Sequence, residues 1–284
     1  VSRARVIVLT TTAMIAFAGN SLLCRVALRE TGIDAASFTT VRLLSGAVML
    51  WALVRLSQRR VEGSGSWVSA LALFGYAAAF SFAYLGLSAG MGALLLFGAV
   101  QATMISHGLW QGEQMRPLQW LGFLLAFGGL VGLLLPGSSA PPLVNAVLML
   151  AAGVAWGVYS LRGRGKGDPT RVTAGNFARA VPFTLALSVL MMGDMAWDPA
   201  GLGYAVASGA LASGMGYAVW YMALPLLRAT SAATIQLSVP VIAALGGVLL
   251  LGESLTARLV LTAMAILGGI ALVILEKQKA AAAS

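Results

Sequence analysis

Apolar residues fill this chain in stretches of roughly twenty, and polar residues fall between them. One such stretch crosses a hydrocarbon core about 30 Å thick as a single α-helix. Ten spans are predicted, near 6–25, 35–54, 67–87, 91–110, 118–135, 142–161, 172–192, 201–222, 230–251 and 256–275. The links between them are short and leave no room for a soluble domain.

The pattern repeats. GEQMRPLQWLGFLLAFGG at 112–129 and GESLTARLVLTAMAILGG at 252–269 share Gly-Glu, a leucine and Gly-Gly, 5 identities in 18 positions at an offset of 140. An offset of 137 carries Phe80 onto Tyr217, Tyr84 onto Tyr221 and Arg42 onto Arg179, and brings Phe17-Ala18-Gly19 near Trp156-Gly157. Each half then holds five spans, an odd number, so the second enters the membrane from the opposite face. The predicted fold is all-α integral membrane, ten transmembrane helices as two inverted-topology five-helix repeats, 1–137 and 138–279. Residues 280–284, AAAAS, read as a tag remnant. Repeats of this kind suit alternating access around a site near the midplane. Gly-Gly is expected to let each fifth helix pack closely on a neighbour. Glu113 and Glu253 are expected at turns or helix termini, where free N–H groups favour a carboxylate.

Composition agrees with a lipid-embedded chain: 59% hydrophobic and 10% charged, against about a quarter charged in a soluble domain. The net charge of +9 raises nucleic acid as a partner, but the basic residues sit between spans rather than on one amphipathic face. Thirteen lie on one predicted side (Arg3, Arg5, Arg55, Arg59, Arg60, Arg116, Arg162, Arg164, Lys166, Arg171, Arg228, Lys277, Lys279) and three on the other (Arg25, Arg29, Arg258). The positive-inside rule makes both termini cytoplasmic. The single cysteine, Cys24, excludes an internal disulfide. Arg3, Arg5 and Ala16-Phe17-Ala18 imitate a signal peptide, but the apolar run continues past Ala18.

Ten spans in two halves, Gly-Glu near the fourth-to-fifth turn, Gly-Gly in the fifth span and an aromatic-Gly entry in the first resemble the EamA-type members of the drug/metabolite transporter superfamily. Within it the chain is most similar to YddG-type aromatic amino acid exporters, on Trp156, Phe97 and the neighbourhood of Pro240; Val100 stands where the first-half counterpart of that proline is expected. The resemblance implies a bacterial inner-membrane exporter of aromatic or large apolar amino acids. Other metabolites and cationic drugs are the alternative cargo.

An ionisable residue inside a span is a functional candidate, since Arg at the bilayer centre costs about 2.5–3.5 kcal/mol on insertion scales. Arg42 and Arg179 qualify, for a substrate carboxylate or a gate; snorkelling to the headgroups is the other reading. Tyr76, Phe80 and Tyr84 recur at i, i+4 and i+8, as do Ser213, Tyr217 and Tyr221. Phe80 and Tyr217 are retained as lining residues, whereas Tyr84 and Tyr221 are assigned to interfacial aromatic belts. Trp156 and Tyr159 are candidates for stacking on a ring. Asn20, Phe97, Gln101, Gln236 and Ser238 complete the predicted binding set, each with helix-to-helix packing or bonding as the alternative. Pro240 cannot donate to the Gln236 carbonyl and is the predicted hinge.

No Asp or Glu lies deep in a span, and the only histidine, His107, falls near a helix end, so no proton relay is evident. GRGKGD at 163–168 lacks P-loop spacing. Asp194 and Asp198 on one loop supply too few ligands for a cation. No HExxH or GxSxG is present, and charged rings or repeated filters of a channel are missing. The expectation is a carrier, not an enzyme, with no cofactor and no metal. Its partners are a small-molecule substrate and the lipid bilayer, with no nucleic acid and no second subunit required.

Overall fold

The structure, a computed structural model, describes residues 3–57, 63–112, 114–137, 139–163, 167–227 and 229–282. Glu113, Arg59, Arg60, Arg164, Lys166 and Arg228, the middle of the GRGKGD loop and the side chains of Lys277 and Lys279 lie outside the described residues.

Helices α1 (Arg3–Glu30), α2 (Ala35–Leu56), α3 (Trp67–Tyr84), α4 (Ala89–Trp110), α5 (Pro117–Leu134), α6 (Leu143–Arg162) and α7 (Pro169–Leu190) follow one another by short turns. Then come α8 (Pro199–Val206), a π-helical segment (Ala207–Met215), α9 (Gly216–Ala223), α10 (Ala229–Gln236), α11 (Ser238–Leu251) and α12 (Ala257–Ala282). No strand occurs among the described residues. Among the described residues, eight helical stretches are long and apolar enough to span a bilayer: α1 to α6, residues 232–251 and residues 257–276. The other two expected spans take different forms. Helix α7 is long, but Arg171, Thr173, Asn176 and Arg179 dilute it, and 199–223 is a helix interrupted by the π segment.

Helix starts follow from side-chain caps. Asp34, Ser66, Ser88, Asp168 and Asp198 each accept backbone N–H groups of the turn they open. Asp198 therefore caps α8. The chain runs between two ends, called here the Asp34 end and the Asp168 end.

Burial is inverted relative to a soluble protein. On α5 the buried positions are Gln119, Gly122, Ala126, Gly129 and Leu133, while Leu121, Leu124, Leu125, Phe127 and Val131 are exposed. Large apolar side chains face outward because lipid solvates them; small and polar ones face inward because close backbone approach and hydrogen bonding drive helix association there.

Helices α5 and α12 lie antiparallel. Gln119 donates to the Val273 carbonyl (3.3 Å), and near the other end Arg258 donates to the carbonyls of Leu135 and Pro136. Between these points a Cβ on Gly122 would stand 2.6 Å from the Gly269 carbonyl oxygen, and one on Gly129 2.8 Å from Ile266 Cγ1. Gly128 and Gly268 have nothing within 4 Å. Only the second glycine of each Gly-Gly pair therefore serves the contact, and the neighbour is the corresponding helix of the other half.

Candidate functional site: a polar and aromatic centre between the two halves

Arg42 is carried into the interior by α2 and is 1% exposed. Its Nη2 donates to Tyr76 Oη (3.0 Å), and its guanidinium carbon lies 5.2 Å from the Tyr76 ring centroid and 4.9 Å from that of Phe80. Nε and Nη1 are buried with no hydrogen-bond partner. Tyr76 Oη also accepts from Asn20 Nδ2 (3.3 Å), and Asn20 Oδ1 accepts from the Ser208 hydroxyl (2.7 Å). Helices α1, α2 and α3 and the π segment thus meet in one chain of hydrogen bonds. Ser213, on the π segment, has a buried hydroxyl without a partner.

Aromatic rings close the other side. Trp156 stacks on Tyr217 (5.3 Å, 20°) and on Tyr159 (5.2 Å, 27°), and tilts against Tyr76 (4.8 Å). Phe17 packs on Tyr217 at 5.6 Å. Tyr159 Oη accepts from Asn176 (3.3 Å), whose Oδ1 accepts the Ser66 N–H (2.8 Å). Rings and dipoles from both halves therefore converge, a surface suited to a flat apolar body with an anionic head.

Of the residues expected at a site, Asn20, Arg42, Phe80, Trp156, Tyr159 and Tyr217 are brought together. Phe97 and Gln101 are buried on α4, but among the described residues no ring contact or hydrogen bond joins them to this cluster. Gln236 is half-buried at the end of α10, and the Ser238 hydroxyl donates to the Ile235 carbonyl (2.7 Å). The helix breaks at Leu237, between Gln236 and Ser238, and Pro240 sits buried in the first turn of α11. Arg179 lies elsewhere: it donates to the carbonyls of Ser64 and Gly175, with Trp67 6.0 Å away. Although Arg42 and Arg179 correspond in the repeat, one sits in the centre with two unpartnered nitrogens and the other ties down the 63–66 turn.

The aromatic-belt assignment does not hold for Tyr84, whereas Tyr221 is half-buried and bonded to α7. Tyr84 is fully buried and its hydroxyl donates to the Ala89 carbonyl (3.3 Å); Tyr221 Oη accepts from Thr173 (3.3 Å). Both hydroxyls find partners inside the protein. Tyr76, Asn176 and Ser208 were the unforeseen members. Tyr76 was legible as the first residue of the i, i+4 pair with Phe80; Ser208, on a π segment, carried no signal.

Two cavities flank this centre. One of about 560 Å³ at the Asp34 end is lined by Arg25, Ser88, Met91, Glu253 and Leu259 among others. One of about 690 Å³ at the Asp168 end is lined by Ser64, Ser66, Arg162, Arg171 and Asn176 among others. Below the first, Arg25 Nε meets Glu253 Oε1 at 3.2 Å and Arg25 Nη1 donates to the Tyr84 carbonyl (2.9 Å). Both Glu253 oxygens accept the Ala89 N–H at the start of α4 (3.1 and 2.8 Å), so this carboxylate does sit at a helix N-terminus. Asp34 joins the halves nearby: Oδ1 accepts from Ala36 and Ser37 (2.9 Å each) and Oδ2 from Ala196 (3.0 Å). Burial alone would raise the Asp34 pKa; the hydrogen bonds from Ser37, Ala196 and Ala36 outweigh it and hold the group below its ordinary value.

Helices that turn their apolar side to lipid and enclose a polar, aromatic centre define a multi-pass membrane protein with an internal site. The model of the EamA-like transporter family matches twice, at residues 4–135 and 144–275, and the chain belongs to that family. It is 59% identical over 271 residues to an uncharacterized protein of Pseudomonas aeruginosa, covering 95% of this chain and 94% of that one. It is 34% identical over 161 residues to the threonine/homoserine exporter RhtA of Salmonella typhimurium, covering 54% and 53%, so that likeness spans about half of each protein. An uncharacterized transporter of Archaeoglobus fulgidus is 26% identical over 82% of this chain and 84% of its own. A solved protein structure superimposes with a TM-score of 0.68 over 98% of this chain and 99% of its own, at 19% identity, a likeness of fold.

Proposed function

We propose that the chain is a carrier that exports small organic metabolites, chiefly aromatic or large apolar amino acids, across a bacterial inner membrane by alternating access. Ten spans form two five-helix units inserted in opposite senses, with both termini cytoplasmic. The antiparallel meeting of α5 with α12, corresponding helices of the two halves, supports that arrangement. The observation that carries the functional reading is Arg42: a buried guanidinium with two unpartnered nitrogens, beside stacked Trp156 and Tyr217. An uncompensated buried charge is costly, and a substrate carboxylate relieves that cost while a ring joins the stack. The closing elements are Arg25 with Glu253 at the Asp34 end, taken as the outer face, and Pro240 as hinge. Phe97, Gln101, Gln236 and Ser238 belong to the path that opens when the helices part, and Arg179 holds the inner turn.

A threonine/homoserine exporter among the relatives supports a second reading, in which the cargo is a smaller polar amino acid. A counterflow screen of the purified, reconstituted chain against amino acids, sugars and cationic drugs separates the two. Accumulation of phenylalanine and tryptophan is expected. Uptake of threonine with neither aromatic would favour the second reading, and no amino acid counterflow would refute both.

A further inference from the structure

The polar groups of the centre are unequally divided between donors and acceptors. A guanidinium offers five N–H groups and no acceptor; a phenol offers one O–H and two lone pairs. Arg42 Nε and Nη1 are unspent. Tyr76 Oη already accepts twice, from Arg42 and from Asn20, which leaves only its O–H. Asn20 Oδ1 already accepts from Ser208 and keeps one neutral lone pair. The ion pairs Arg25 with Glu253 and Arg29 with Glu30 lie toward the Asp34 end. A ligand entering here meets unspent N–H and O–H donors, aromatic faces and only neutral acceptors, among them the unpartnered Ser213 hydroxyl.

An ammonium group is poorly served by that set. It needs several acceptors or a negative charge once stripped of water, and it is repelled by Arg42, which already lies against the rings of Tyr76 and Phe80. A carboxylate is well served: charged acceptors complete the guanidinium and take the phenolic O–H. We infer that the Arg42 site selects its ligand by a carboxylate and a large apolar or aromatic body and leaves the α-amino group unread, so that its substrate class extends to des-amino monocarboxylates. This rests on the placement of the substrate site at Arg42.

The test uses the full chain in nanodiscs and in proteoliposomes, with phenylalanine, 3-phenylpropionate (the same molecule without its amine) and phenethylamine (without its carboxylate). Phenylalanine and 3-phenylpropionate are expected to bind with comparable affinity and phenethylamine about 10- to 100-fold more weakly, the value of charged hydrogen bonds. Arg42→Gln should abolish the difference. Tyr76→Phe, which keeps the ring packing, should weaken both carboxylates several-fold and leave phenethylamine unchanged. Phenylalanine binding without 3-phenylpropionate binding would overturn the inference and leave the amino acid carrier standing. Binding of 3-phenylpropionate without phenylalanine counterflow would do the reverse. Equal or tighter binding of phenethylamine, or no binding of either carboxylate, would also overturn it.

Discussion

Replacing Glu253 by Ala removes the carboxylate that joins α1, α4 and the α11–α12 turn. It leaves Arg25 with the Tyr84 carbonyl and leaves the Ala89 N–H, at the first position of α4, without an acceptor. Removing one partner of a buried ion pair costs about 3–5 kcal/mol. The side chains are 6% and 13% exposed and border a cavity, so screening lowers this to about 2–3 kcal/mol. In a carrier the loss falls on the state closed at the Asp34 end, because opening that end separates the same groups. A bias of 2–3 kcal/mol moves a two-state population by roughly 30- to 150-fold. Cys24, the only cysteine and fully buried one residue from Arg25, is a native reporter. Its labelling by a small thiol reagent should accelerate by about that factor in Glu253→Ala and less in Glu253→Gln, whose amide oxygen can still accept the Ala89 N–H. If Cys24 reacts at the wild-type rate while the melting temperature falls, the ion pair is a static brace and the gate assignment is wrong.

Leucine at Gly269 should destabilise the protein by about 1–3 kcal/mol through overpacking, and leucine at Gly268, which has open space around it, by about 0.5 kcal/mol or less; thermal unfolding in detergent distinguishes them. Trp156→Ala should raise the KM for aromatic substrates by about 2- to 10-fold, the worth of a ring pair, and change threonine uptake less; equal losses would remove Trp156 from the site. The hydrogen bonds that lower the Asp34 pKa stabilise the fold fully above the ordinary carboxylate pKa, about 3.9, and that contribution is lost as pH falls through the lower folded value. Melting temperature should therefore drop with acidification below about pH 4, and Asp34→Asn should flatten that part of the profile.

The helical spans were legible because a bilayer imposes a length on apolar runs, and the depletion of charge from α3 to α6 and in 257–276 leaves little else to read. Helix α7 gave a weaker signal because Thr173 and Asn176 turn inward to bond Tyr221 and Tyr159. Asn20, Arg42 and Trp156 could be singled out because polar and aromatic residues at mid-span depth are few. Their assembly was not legible, since Asn20 and Ser208 stand 188 residues apart and Arg25 and Glu253 228 apart. Arg179 shows the limit of the repeat as a guide. Sequence correspondence equates it with Arg42, but Arg42 meets Tyr76 and Phe80 whereas Arg179 meets the carbonyls of Ser64 and Gly175, so corresponding side chains have different neighbours.

Opposed insertion of the two halves is the premise of the proposed transport cycle, and topology labelling tests it most directly. With Cys24 replaced by Ala, single cysteines are placed at Glu113 and at Ser254, which follow the fourth span of each half, and intact cells are treated with a membrane-impermeant maleimide. The account predicts labelling at 254 from outside and labelling at 113 only after the membrane is opened. Equal labelling of both positions in intact cells would contradict it.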